Sequence, residues 1–205
     1  MKLHWSPRSP FVRKVMIVAH ETGLADRLNC VRTVAATTKP NAELMVDNPL
    51  SKLPTLVLDD GTALYDSPVI CEYFDTLHDG PKLFPAQTGE RMIALRRQAL
   101  GDGMLDFLIH RRNEDMRPAE HRSAAHLDNF AIRRGSVLAS LEREAPALRS
   151  SAHSIGHIAL GCALSYLDFR FADFDWRKDH ARIAAWHETF ALRPAVQATE
   201  PVDDS

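Results

Sequence analysis

Apolar and polar positions alternate with two periods along the chain, and the change between them divides it. Lys2–Trp5 reads as a short strand and Ser6–Pro10 as a turn. Phe11, Val12, Val15, Met16 and Ala19 then fall on one face of a helix, which Gly23 ends as a C-cap. Cys30–Val34 predicts a second strand, and the polar stretch Lys39–Asn48 a loop with a short helix. Thr55–Leu58 and Thr62–Tyr65 predict a hairpin around Asp59-Asp60-Gly61. Ser67 is expected to cap a further helix, with Pro68 at its first position and Val69, Ile70, Tyr73, Phe74 and Leu77 on its apolar face. Beyond the Gly- and Pro-rich stretch His78–Pro85 strand signals vanish. Helical periodicity covers Arg91–Arg112, His121–Glu144, Ser154–Phe171 and His180–Leu192. The order β-α-β, loop, β-β-α is thioredoxin-like. The expected architecture is therefore an α/β thioredoxin-like domain over 1–78, a linker over 79–87 and an all-α domain over 88–205.

Composition narrows the function. Of 205 residues, 45% are hydrophobic and 25% charged, the balance of an ordinary globular protein. A formal net charge of -2 supplies no global positive field, so neither nucleic acid nor an anionic membrane is an expected partner. The longest apolar run, Ile155–Leu167, is too short and too broken to span a bilayer. The N-terminus carries no apolar signal core, which predicts a cytoplasmic protein. Cys30, Cys71 and Cys162 form no Cys-x-x-Cys pair and no zinc spacing, and are read as buried small hydrophobes. His153 and His157 stand four apart with no nearby Glu or Cys to complete a set, so no metal is expected. Gly101-x-Gly103 follows no strand and is no dinucleotide loop. Asp203-Asp204-Ser205 is read as a frayed tail.

Three segments carry candidate chemistry. Ser9-Pro10-Phe11-Val12 opens the first helix where a thioredoxin-like fold would place its redox cysteines, and neither end is cysteine. Ser9 is either an N-cap alone or a hydroxyl beside a bound thiol, which the field at a helix N-terminus would push toward thiolate. Lys52-Leu53-Pro54-Thr55 precedes the third strand. Pro54 is either a trans edge proline or a cis one that turns the Leu53 backbone outward to pair with an extended peptide. In Tyr65-Asp66-Ser67-Pro68, Asp66 and Ser67 are either a capping pair or the holders of an α-amino acid end, the hydroxyl and backbone N–H groups taking the carboxylate and Asp66 the ammonium. Together, in this order, they form a cradle for a peptide thiol.

The chain resembles a bacterial glutathione S-transferase along nearly its whole length. Ser9-Pro10-Phe11-Val12-Arg13-Lys14 is similar to the serine-type motif after the first strand. Asn48-Pro49-Leu50-Ser51-Lys52-Leu53-Pro54 is similar to N-P-x-G-K-V-P, and Asp66-Ser67 to the D/E-S pair. Leu83-Phe84-Pro85 looks like the linker, Ser154–Leu167 like the central helix of the second domain, and Arg193–Pro201 like the tail. The subgroup it looks like is the small serine-type, YibF-like bacterial transferases. The resemblance implies a cytoplasmic homodimer and a detoxifying conjugation of glutathione, the co-substrate, to a hydrophobic electrophile. Ser9 would hold the sulfur as thiolate, with Ser6 as the second candidate. Leu53 would pair with the cysteinyl unit, cis-Pro54 would fix that geometry, and Asp66 and Ser67 would hold the γ-glutamyl end. Lys52 or Lys39 would meet the glycyl carboxylate. Phe11, Met104, Phe107 and Leu108 are candidate walls of a second-substrate pocket between the domains, with Arg111 and Arg112 facing an acidic substrate; core packing and a solvated face are the competing readings. Two departures stand out. Ser51 replaces a Gly, and His157 replaces the Asp that completes a capping box with Ser154, which is expected to lose that box. The same fold also serves non-catalytic glutathione-binding or protein-interaction modules, and glutathione-dependent isomerases, dehalogenases and peroxidases.

Overall fold

The computed structural model describes residues 1–204, which form two compact units: Met1–Arg91 joined by the chain from Pro194 onward, and Met92–Arg193. In the first unit β1 (Lys2–Trp5), β2 (Asn29–Arg32), β3 (Thr55–Val57) and β4 (Ala63–Leu64) make one sheet in the order β2-β1-β3-β4. β1 is parallel to β2 and antiparallel to β3, and β3 is antiparallel to β4. With α1 (Pro10–Glu21), α2 (Ala42–Asp47) and α3 (Ser67–Thr76), this is the expected thioredoxin-like order.

Local chemistry sets the ends of these elements. At the end of α1, Gly23 takes φ +70 and donates to the His20 carbonyl at 3.2 Å, while Leu24 donates to Ala19 at 2.7 Å and buries its side chain. The two bonds make a Schellman cap, which needs a residue free to adopt a left-handed backbone. The buried stripe of α1 holds Val12, Val15, Ile17, Val18 and Ala19, and the helix packs against α3 and against α8 (Pro194–Gln197). Arg13 is buried too and donates to the Val196 carbonyl at 3.4 Å. At the start of α3 the cap differs from expectation. Asp66, not Ser67, is the N-cap residue, because its carbonyl already accepts the first helical bond, from Ile70 at 3.1 Å. After α3, the buried Asp75 carboxylate accepts the Leu83 and Phe84 N–H groups at 2.8 and 3.2 Å, pinning the segment expected as a linker to the first unit.

Two expectations for this unit are overturned. Cys30 is exposed, because β2 is an edge strand whose four residues all face solvent; Cys71 and Cys162 are buried as expected. In the tail read as frayed, Asp203 and Asp204 pair with arginines and Val202 donates to the Pro7 carbonyl at 3.4 Å, while Ser205 lies outside the described residues.

The second unit is helical: most of α4 (Thr88–Asp115), then α5 (Ala124–Ser150), α6 (Ile155–Arg170) and α7 (Ala181–Ala191). α6 is buried almost throughout. It lies so close to α4 that a Cβ on Gly101 would stand 2.6 Å from the Ala159 carbonyl carbon, and one on Gly156 would stand 2.7 Å from the Ala94 oxygen. α5 continues through Pro146, whose ring faces solvent, because Ala145 and Leu148 are buried on its inner face. Glu142, on α5, caps α7 from outside that helix by accepting Arg182 and Ile183 N–H groups at 3.1 and 2.9 Å.

The expected loss of the α6 capping box is also overturned. His157 Nδ1 accepts the Ser154 N–H at 3.2 Å, and its Nε2 donates to the Leu148 carbonyl at 3.1 Å. A neutral imidazole protonated at Nε2 offers an acceptor at Nδ1, so it does the work of the missing Asp. Burial keeps the ring neutral, lowering its pKa from 6.5 to about 4.

Candidate functional site

Sheet register brings the three candidate segments to one edge. His4 pairs with Thr55 and Leu56 with Leu64, in antiparallel fashion. The carboxyl end of β1, which leads to Ser9, therefore lies beside the start of β3, which follows Pro54. The carboxyl end of β4, which leads to Asp66, lies there as well. β2 is parallel to β1 and pairs Arg32 with Trp5, so Arg32 ends at the same edge.

Ser9 is the N-cap of α1, and its Oγ accepts the Val12 N–H at 3.3 Å. That bond uses a lone pair and leaves the hydroxyl proton available for donation. Pro10 has no N–H, so Phe11 contributes the unpaired N–H of the first turn. Ser6 is buried, and its Oγ accepts the Arg8 N–H at 3.4 Å from inside the turn.

The Leu53–Pro54 peptide is cis, as the resemblance implied. The loop before it is built around the buried Asn48 and Thr55. Asn48 Nδ2 donates to the Lys52 carbonyl at 3.2 Å and to Thr55 Oγ1 at 2.9 Å, while its Oδ1 accepts the Leu50 N–H at 3.0 Å. Thr55 Oγ1 donates to the same Lys52 carbonyl at 2.9 Å. The preceding carbonyl is thus satisfied inside the loop, and none of the described residues pairs with the Leu53 backbone. Upstream, Asp47 at the end of α2 accepts from His4 and from Lys2, both at 2.7 Å, which ties α2 to β1 and holds the Asp47 carboxyl below its ordinary pKa. Lys52 and Lys39 are both exposed.

At α3, Ser67 is buried and Asp66 is exposed, and the peptide joining Tyr65 to Asp66 is cis. Ser67 and Val69 present the N–H groups of the first turn, Pro68 having none. Two helix N-termini and the unpaired Leu53 backbone thus share one sheet edge.

Comparison with known proteins decides the family. The family description "Glutathione S-transferase, N-terminal domain" matches residues 8–77, and "Glutathione S-transferase, C-terminal domain" matches residues 124–189. The chain belongs to the glutathione S-transferase family. It is 30% identical to the uncharacterized GST-like protein YibF of Escherichia coli K12, over 98% of each chain. A glutathione transferase family member from Pseudomonas fluorescens Pf-5, solved with bound glutathione, is 40% identical at a TM-score of 0.94, covering 98% of this chain and 99% of that one. A structure with bound S-(propanoic acid)-glutathione, also from Pseudomonas fluorescens Pf-5, is 38% identical at a TM-score of 0.90, covering 99% and 100%. The fold is that of the transferases: a thioredoxin-like sheet domain and a helical domain.

The residues expected to wall a second-substrate pocket are placed as follows. Phe11 is half-buried, with the Lys14 ammonium 5.7 Å from its ring centre. Met104, Phe107 and Leu108 are buried on α4. Arg111 Nε donates to both Asp115 oxygens at 2.9 and 2.8 Å, so its charge is already matched. Sequence reasoning missed Arg8 and Arg32, which hold the tail, and Asn48 as the centre of the loop; only the Asn-Pro of the quoted motif pointed to Asn48.

Another cluster in the helical unit imitates a hydrolase. Ser165 Oγ lies 3.0 Å from His187 Nε2, and Asp168 Oδ2 lies 4.0 Å from His187 Nδ1. The geometry has the wrong polarity for a nucleophile and base. Arg177 Nη2 faces His187 Nδ1 at 3.3 Å, so Nδ1 accepts and the proton sits on Nε2, which donates to the serine. Asp168 instead binds the Arg177 fork at 2.6 and 2.6 Å and Trp176 Nε1 at 2.7 Å. This is a packing network.

Among the described residues no helix is long and apolar enough to cross a membrane.

Proposed function

We propose that this transferase binds glutathione at the shared sheet edge and conjugates it to an electrophile through a thiolate held by Ser9. The observation that carries the reading is the state of the Ser9 hydroxyl. It accepts from Val12 and so keeps its proton to donate to a sulfur anion, at the positive end of α1. The Leu53 N–H and C=O would pair with the cysteinyl unit as an added strand residue. Ser67 and the first-turn N–H groups of α3 would take the γ-glutamyl carboxylate, and Asp66 its ammonium. Lys52 or Lys39 would meet the glycyl carboxylate. The thiol proton goes to solvent, sulfur bonds to the electrophilic carbon, and the leaving group departs with its bonding pair. The glutathione-bound relatives support the reading because their chains align over nearly the full length of this one. A homodimer is expected from the family.

The test pairs binding with turnover. Calorimetry should find micromolar to millimolar glutathione affinity in the wild type and a collapse in Asp66→Ala. Ser9→Ala should lower turnover roughly hundred- to thousandfold, as loss of one charge-stabilising donor does, while glutathione affinity stays within a few-fold. No binding in the wild type would leave the family and fold standing and make the chain an interaction module.

A further inference from the structure

Arg8 and Arg32 lie at the carboxyl ends of the two parallel strands of the first unit. Arg8 immediately precedes Ser9 in the turn after β1, and Arg32 is the last residue of β2, paired with Trp5. Their guanidinium groups converge on one carboxylate. Arg32 forks it, with Nε 2.6 Å from Asp204 Oδ2 and Nη2 3.0 Å from Asp204 Oδ1, and Arg8 Nε lies 2.9 Å from that same Oδ1. Arg8 Nη1 also reaches Asp203 at 3.8 Å. The two cations hold the Asp204 carboxyl below its ordinary pKa, Arg32 contributing most.

We propose that Arg8 and Arg32 form a carboxylate subsite beside Ser9, that Asp204 occupies it as a stand-in, and that the electrophile conjugated by this enzyme bears a carboxylate that displaces the tail. The inference rests on the proposed transferase reading for its chemistry but not for the subsite itself. Planar guanidinium forks match a carboxylate with two parallel bonds, and two of them together prefer an anion over any neutral group of the same shape. The occupant is replaceable. The ion pairs are largely open to solvent, where such pairs are weak, and the Val202 N–H reaches the Pro7 carbonyl only at a long 3.4 Å. The position suits the chemistry, since an anion bound next to Ser9 would hold its electrophilic carbon near the sulfur. Of the two arginines that the sequence offered for an acidic substrate, Arg111 is matched by Asp115. A carboxylate also stands at the glycyl end of glutathione, so the experiment separates the two sources.

The first arm omits glutathione and uses an unreactive anion. 3-Nitrobenzoate and its carboxamide are titrated calorimetrically into wild type, Asp204→Asn and Arg8→Gln. Removing a tethered competitor should tighten 3-nitrobenzoate roughly three- to tenfold in Asp204→Asn. Losing one of the two guanidinium groups should weaken it roughly tenfold in Arg8→Gln. The carboxamide should respond to neither change. The second arm measures turnover of 4-chloro-3-nitrobenzoate against 4-chloro-3-nitrobenzamide with glutathione. Sulfur bonds to the ring carbon, chloride leaves with the C–Cl pair, and the thiol proton goes to solvent. Asp204→Asn should raise the acid-to-amide ratio of kcat/KM by lowering KM for the acid. Unchanged nitrobenzoate affinity in Asp204→Asn, or an equal change for acid and amide, overturns the subsite. If Asp204→Asn tightens glutathione and leaves nitrobenzoate unchanged, the carboxylate belongs to glutathione and the proposal is wrong. Absence of glutathione binding would sink the transferase reading alone, because the first arm decides the subsite without it.

Discussion

Ser51 shows how a single residue answers to both the chain and the fold. Its φ of +51 is the only left-handed value among the described non-glycine residues, at the position where the family motif carries Gly. An L-residue there costs about 1–2 kcal/mol. The serine offsets this with its side chain, whose Oγ accepts the Asn41 N–H at 3.0 Å and so fastens the start of α2 to the loop before Pro54. Ser51→Ala keeps the backbone cost and loses the bond. It should destabilise by about 1 kcal/mol in urea unfolding, whereas Ser51→Gly, which relieves the one and loses the other, should stay close to wild type. An Ala variant as stable as wild type would show that the bond contributes nothing. The substitution is visible in sequence, but its meaning is not, because nothing local says that residue 51 must turn left-handed. Ser9 is the opposite case. A serine one residue before a proline at the opening of an apolar periodic segment is an N-cap by local rules alone, and the structure places its Oγ on Val12.

Elements were legible where periodicity is strong, and their ends were less so. β1, α1, the β3–β4 hairpin and the long helices follow the apolar pattern. α5 runs past Pro146 because Ala145 and Leu148 are buried on its inner face, which the chain alone does not reveal, and α4 begins at Thr88, ahead of Arg91, where the Gln87 side chain accepts the Glu90 N–H at 2.7 Å. The pair Gly101 and Gly103 on α4 shows the same division. A Cβ on Gly101 would collide with the Ala159 backbone at 2.6 Å, while one on Gly103 would meet nothing within 4 Å. Gly101→Ala should therefore destabilise by roughly 1–3 kcal/mol or more, since α4 and α6 would have to separate. Gly103→Ala should stabilise by about 0.5–1 kcal/mol, through helix propensity alone. Thermal unfolding of the two variants checks this, and equal shifts would mean that the close crossing is absent in solution. From sequence the two glycines are indistinguishable.

For the whole molecule, the stability of the helical unit should depend on pH through His157. Its pKa falls from 6.5 to about 4 on folding, because burial disfavours the charged ring. The unfolded chain therefore takes up the proton first. The contribution of the neutral ring is complete above about pH 6.5 and is lost as the pH falls toward about 4. It amounts to about 3 kcal/mol, at 1.36 kcal/mol per pKa unit. The same protonation turns Nδ1 from acceptor to donor and opens the cap at Ser154. Urea midpoints of wild type and His157→Asn between those two pH values should converge as the pH falls; parallel curves would remove His157 from the acid response. The sequence by itself determined the order of elements, the two-domain plan, the family and the caps of α1, because periodicity and turn chemistry act within a few residues. Only the tertiary structure decided that three separated segments share one sheet edge, that a histidine replaces an aspartate in the α6 cap, and that Asp204 comes to rest on Arg8 and Arg32. Those pairings join residues as much as 172 positions apart. They depend on strand register and on burial, neither of which is written in any one stretch of the chain.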